Sequence, residues 1–185
     1  MKVLKFGDWL VESQSQSDSE NKITDASNDI INSLVERLKK HEGVKNKVYM
    51  DSVGIPTIGV GFNLNREDAP QKIKALGLDY NLVKSGKKTL TPQQIETLLK
   101  QDIQSSWNSA KDIVENFVSL PSNAKSVIVE MIFNLGRSGF LKFKNFKNMI
   151  EQNDFIQASQ EMLRSNWAKQ VGERAKNLSN LLRNI

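Results

Sequence analysis

Glu42, Asp51 and Thr57 are separated by eight and then five residues within one short stretch, His41 to Leu64, reading HEGVKNKVYMDSVGIPTIGVGFNL. Two carboxyl groups and a hydroxyl could together cleave a glycosidic bond. That reaction needs one acid to protonate the leaving oxygen and one ionised carboxylate on the opposite side of the sugar. The two groups must therefore live in different surroundings. Glu42 ends a helical pattern, where the free carbonyls of the last turn and partial burial disfavour its charged form, which suits an acid. Asp51 closes a strand beside a turn, open to water and backbone donors, and is expected to stay charged. Thr57 offers a hydroxyl that donates and accepts, suited to holding a water between Asp51 and the sugar. Gly59 and Gly61 would let the sugar approach the backbone. Taken as spacing alone, a Glu closing a helix and an Asp in a turn are equally ordinary structural residues.

The elements that must position these groups follow from the surrounding pattern. Ile30, Ile31, Leu34, Val35 and Leu38 recur at helical spacing, with cap candidates from Thr24 to Ser27, so a helix is predicted from about Ser27 to His41, stopped by Gly43. The period then changes: KVYMD reads as a strand, SVGI as a turn and PTIGVGF as a second strand, giving a small twisted hairpin. Beyond it the chain reads helical: Asp68–Leu76, Pro92 to about Lys111, Ser122–Leu135, Lys144–Gln152, Asp154–Leu163 and Glu173–Arg183. Thr91, Pro92 and Gln94 form a capping-box signature at the start of the long helix. A little β followed by many helices predicts an α+β fold, a hairpin lobe beside a mainly helical lobe with a cleft between them.

Composition bounds the rest. The 185 residues suit one domain with a sizeable core, and the absence of cysteine excludes disulfides, thiolate metal sites and thiol nucleophiles. A formal charge of +5 fits a polyanionic partner such as nucleic acid, anionic lipid or a bacterial wall, and equally a plain solubility bias. No apolar run approaches the roughly 20 residues of a membrane span. Residues 1–22 divide into a short amphipathic segment, Met1–Val11, and a polar linker, Ser13–Asn21; the folded domain is expected over 23–185. The start is a poor secretory signal, since Asp8 and Glu12 interrupt it.

The order Glu42-Gly43, Tyr49-x-Asp51, Thr57-Ile58-Gly59-Val60-Gly61 resembles the acid–aspartate–threonine signature of the phage-type lysozymes, the T4-like muramidases of glycoside hydrolase family 24. Phe133-Asn134-Leu135-Gly136 with Gly139 and Phe143, then Ser165–Trp167 and Gly172-Glu173-Arg174-Ala175, is similar to later segments of that family, in the right order from about Asn28 to Ile185. The resemblance implies a lysozyme-like fold and hydrolysis of the β-1,4 bond between N-acetylmuramic acid and N-acetylglucosamine in peptidoglycan. It makes Glu42 the general acid, Asp51 the second carboxylate and Thr57 the water-positioning hydroxyl, with inversion of configuration. Phe133 and Asn134 would line the sugar sites opposite the hairpin and Asn63 the near side; Phe133 beside Ile132 equally fits a core aromatic. Arg174 would meet an acidic peptide or muramic carboxylate, or stand as a solvated helix charge. No metal or cofactor is implied, and a monomer is expected.

Two departures stand out. Where many members place a histidine after Gly61, this chain has Phe62, so an ion pair made through such an imidazole is expected to be lost. The single histidine, His41, reads as a helix C-terminal residue rather than a general base. Leu10-Val11-Glu12 before Ser13 is similar to the leader-cleavage pattern of internal head proteins of T4-like phages. With that leader cut, the enzyme would be virion-associated; otherwise it is an endolysin held in the host cytoplasm until release to the wall. A catalytically inactive structural or DNA-binding phage protein is the other class. Scattered rather than clustered basic residues argue against a specific nucleic-acid partner.

Overall fold

Gly43 adopts φ +72° and its amide bonds to the Lys39 carbonyl at 3.1 Å, which ends helix α1, residues 27–42, where the sequence placed its stop. The computed structural model describes residues 27–185. The leader, the linker, the domain boundary at residue 23 and the cap candidates before Ser27 lie outside the described residues. After α1 come strands β1 (Lys45–Met50), β2 (Pro56–Gly59) and β3 (Phe62–Asn63), antiparallel in the order β1-β2-β3. Helices α2 (Ala69–Ala75) and α3 (Tyr80–Lys84) complete this lobe. Helix α4 (Pro92–Ile113) leads through a 3-10 turn, Phe117–Ser119, to α5 (Ser122–Phe140), α6 (Lys144–Glu151), α7 (Phe155–Arg164), α8 (Asn166–Val171) and α9 (Glu173–Arg183). The α+β fold with a small sheet and a mainly helical body is as expected.

Four details correct the sequence reading. The stretch PTIGVGF is two strands, because Gly59 and Gly61 take φ of +69° and +71° and turn the chain between them. The hairpin is thus a three-stranded sheet. Helices α3 and α8, of five and six residues, are too short to show a period. The helix from Ser122 runs on to Phe140, but Gly136 at φ 69°, ψ 166° breaks it just after Leu135.

The core forms around α4 and α5. Ile95, Leu98, Leu99, Ile103, Trp107, Ala110 and Ile113 line one face of α4, and its start is closed by the reciprocal bonds of Thr91 and Gln94 at 3.2 and 2.9 Å. Helix α5 is buried almost all round from Ser126 to Ile132. The far face of the sheet joins this core through Ile58 and Phe62, cross-strand partners that are both buried. Burying a ring such as Phe62 contributes about 2 kcal/mol. Gly59 stands beside Ile95 of α4, where a Cβ would meet Cγ2 at 3.4 Å in ordinary contact, so its φ of +69° and not lack of space calls for glycine.

Phe62 also answers the question of the missing imidazole. The Arg66 guanidinium carbon stands 4.9 Å from its ring centroid and Lys72 Nζ 5.9 Å. Arg66 bonds both oxygens of Asp102, at 2.7 and 3.0 Å, and Lys72 bonds Asp102 at 2.7 Å. Phe62 itself makes no ion pair; the pairing beside it is made by Arg66, Lys72 and Asp102, with the two cations laid over its aromatic face.

Candidate active site

Glu42 is the last residue of α1, and its side chain is 28% exposed. Its Oε1 accepts from Arg174 Nη1 of α9 at 2.6 Å. Its Oε2 faces Gly61: a Cβ built on that glycine would lie 3.8 Å from it. The missing side chain at position 61 thus leaves one oxygen of Glu42 open toward the β2–β3 turn, while the other is gripped from the helical body. Arg174 is a cation beside Glu42 that the helix-end argument did not anticipate.

Asp51 sits one residue beyond β1 and builds its own turn. Its Oδ1 accepts from the amides of Val53 at 2.9 Å and Ile55 at 2.8 Å, and its amide bonds the Ile55 carbonyl at 3.0 Å. These bonds hold Asp51 rigidly and leave Oδ2 without a bond to the described residues. Thr57 lies in β2 directly across from Tyr49 in β1 and Asn63 in β3, so the three side chains share one sheet face. Thr57 is buried, and its hydroxyl donates to the Ile55 carbonyl at 3.0 Å, which leaves its lone pairs to accept. Asn63 Oδ1 caps the next turn by accepting from Asn65 N at 2.7 Å.

Tyr49 lies in the field of both carboxylates. Burial raises its phenol above the ordinary tyrosine range, and the negative charges of Glu42 and then Asp51 raise it further. Both acids thus lie within electrostatic reach of one hydroxyl on the Thr57 face of the sheet.

Across from the sheet, a cavity of about 280 Å³ is lined by Gly61 and Arg66 on one side and by Ile132, Phe133, Gly136 and Arg137 of α5 on the other, with Asp102 and three serines of α4 as its floor. Phe133 packs partly on the core and also lines this cavity. Asn134 is exposed, its Oδ1 held by Trp167 Nε1 at 2.7 Å. A separate cavity of about 630 Å³ is lined by residues of α6 and α7 together with Phe143 and Trp167.

The expected binding role of Arg174 does not fit its place. The side chain is 7% exposed, with Nη1 on Glu42 and Nε on Glu130 at 3.0 Å, and Nη2 is sealed from solvent without a partner. An incoming wall carboxylate has no path to it. Glu130 and Arg37 were not singled out from sequence; the signal was a charged residue inside the apolar run VIVEMIF. Among the described residues no cluster of His, Asp and Glu could hold a metal ion, and no helix is long and apolar enough to cross a membrane.

Comparison with known proteins bears on the same residues. The phage lysozyme family model matches residues 39–183, a span that contains Glu42, Asp51, Thr57 and Arg174. A probable T4-type lysozyme 2 of Dictyostelium discoideum is 29% identical over 154 residues, covering 79% of this chain and 91% of that protein. The endolysin of Salmonella phage P22 is 36% identical over 121 residues, 62% of this chain and 71% of that protein. The pre-baseplate central spike protein Gp5 of Enterobacteria phage T4 is 25% identical over 157 residues, which span 81% of this chain and 27% of the spike protein.

Proposed function

The chain belongs to the phage lysozyme family, and on that premise we propose that it is a peptidoglycan hydrolase, a family 24 muramidase that cleaves the β-1,4 bond between N-acetylmuramic acid and N-acetylglucosamine. The observation that carries this reading is the division of labour on Glu42: Oε1 is engaged by Arg174 and Oε2 faces Gly61, a residue that lines the groove. A general acid needs one oxygen free to deliver its proton. Oε2 is that oxygen, and Arg174 receives the negative charge left when the proton goes to the leaving sugar.

Asp51 and Thr57 act on the water. With the Thr57 hydrogen committed to Ile55 and Asp51 Oδ1 committed to two amides, the free acceptors are Thr57 Oγ1 and Asp51 Oδ2. A water that donates one hydrogen to each keeps a lone pair directed at the anomeric carbon, and Asp51 takes its proton as the bond forms. This route inverts the anomeric centre and needs roughly 6.5–9.5 Å between the two carboxyl groups. Phe133 offers the sugar an apolar face across the groove, and Asn63 and Asn134 are the further polar contacts this reading assigns to the sugar. The working unit is a monomer.

Digesting purified peptidoglycan with this protein and reducing the new ends with borohydride tests the bond. Muramitol is expected. Glucosaminitol instead would refute the muramidase assignment, and no new reducing ends would refute hydrolysis altogether.

The setting we favour is lysis of the host from within, as the name endolysin states for the P22 relative. The similarity to a T4 spike protein favours a second setting, carriage of the enzyme in the particle. Mass spectrometry of purified virions decides between them: a polypeptide starting at Ser13 supports carriage, and its absence supports the lytic role.

A further inference from the structure

Glu130 takes no part in the chemistry above, yet it lies on the other side of the guanidinium that grips Glu42. It is fully buried in α5, and its neighbours Val127, Ile128, Val129, Met131 and Ile132 are buried apolar residues. A carboxylate in such a place is unfavourable unless both of its oxygens are bonded. Both are: Oε1 accepts from Arg174 Nε at 3.0 Å and Oε2 from Arg37 Nε at 3.0 Å. Arg37, on α1, also bonds the Ser126 hydroxyl one turn earlier on α5. A charged chain therefore runs from α1 through Glu130 to Arg174 on α9 and returns to Glu42 at the end of α1.

Two features point beyond holding helices together. A tie between α1 and α5 is complete with Arg37 and Ser126, and well-packed apolar residues commonly serve stability as well as a buried ionic triad does. Arg174, moreover, has only two anchors. Its Nη2 has no partner, so Nε on Glu130 and Nη1 on Glu42 alone define the plane of the guanidinium. Without the first bond the group can swing about the second, and Glu42 can swing with it.

We propose that Glu130 is a positioning residue for the hydrolytic site: by fixing Arg174 Nε it sets the guanidinium on Glu42 Oε1 and so keeps Oε2 turned to the groove. This inference rests on the reading of Glu42 as the acid. Its effect falls on the chemical step, since neither Glu130 nor Arg174 lines the sugar groove.

The test measures kcat and KM separately on soluble peptidoglycan fragments, at a temperature where circular dichroism shows every variant folded. Glu130→Gln is expected to lower kcat about 10- to 100-fold with KM within about threefold of native, the usual effect of misplacing a reacting group. Phe117→Leu, a core change in the 3-10 turn after α4, supplies a destabilised control with kcat near native. Should Glu130→Gln not fold, Glu130→Asp, which keeps the charge but retracts both oxygens, is held to the same criterion. Native kcat in the folded Glu130 variant, or an equal fall in Phe117→Leu, overturns the inference and leaves the hydrolase reading intact. No hydrolysis by the native protein removes both.

Discussion

Arg174 and Glu42, 132 positions apart in the chain, meet at 2.6 Å through Nη1 and Oε1. The contact joins the last helix to the end of the first and sets the orientation of the proposed acid. It also concentrates charge in a poorly hydrated corner, because Arg174 is bonded at the same time to the fully buried Glu130.

Removing that cation should be costly. In Arg174→Met, Glu130 keeps only Arg37, and a buried carboxylate that loses a partner typically destabilises the fold by about 3 kcal/mol. Urea unfolding measures this directly. A loss below about 1 kcal/mol would mean that water replaces the guanidinium without difficulty.

Tyr49 reports on both acids. Its phenol, raised first by burial and then by Glu42 and Asp51, should ionise above the ordinary tyrosine range when followed by ultraviolet absorbance. Glu42→Gln and Asp51→Asn each remove a negative charge and should lower that midpoint, Glu42→Gln by more. Burial remains in both, so neither returns it fully. A midpoint indifferent to both substitutions would place the carboxylates away from this tyrosine.

Phe62 is expected to matter as a platform as well as a core residue. Phe62→Ala opens a cavity under Arg66 and Lys72 and should cost about 3–5 kcal/mol, while Phe62→Leu should cost clearly less. Equal losses in thermal or denaturant unfolding would contradict this, since volume then plays no part.

Glu96 gives the fold a pH signature. Hydrogen bonds from Lys39 and then Lys100 lower its carboxyl from the ordinary value to about 2. A folded-state value below the unfolded one means that this contribution is fully present above about pH 4.5 and is lost as pH falls toward 2. Native protein and Glu96→Gln should differ in melting temperature at neutral pH, and the difference should close across that acid window. Because the site is exposed, 1 M salt should shrink it as well. A difference constant from pH 7 to pH 2 would rule out the ion pair as its source.

The parts of the molecule legible in sequence are those with a local physical cause. Gly43 after an apolar stripe, and Thr91-Pro92-Gln94 before another, mark helix ends because caps act within one turn. The spacing of Glu42, Asp51 and Thr57 was legible too, since one helix end and one sheet position all three. The split of PTIGVGF was not, because apolar alternation looks the same whether or not two glycines turn the chain. Arg174 reads in sequence as a substrate contact or a solvated helix charge because nothing in spacing relates it to Glu130, 44 positions earlier. That pairing is purely tertiary, and only the lone charge in an apolar helix hinted that something had to neutralise it.

The most direct test of the account compares wall clearing by the native protein with that by Glu42→Gln, both shown to be folded by their unfolding curves. The substitution keeps the shape and the bond to Arg174 but has no proton to give. The account predicts that native protein clears a suspension of purified cell walls and that Glu42→Gln falls by about a thousandfold or more. Equal clearing by the two would show that the proton comes from elsewhere.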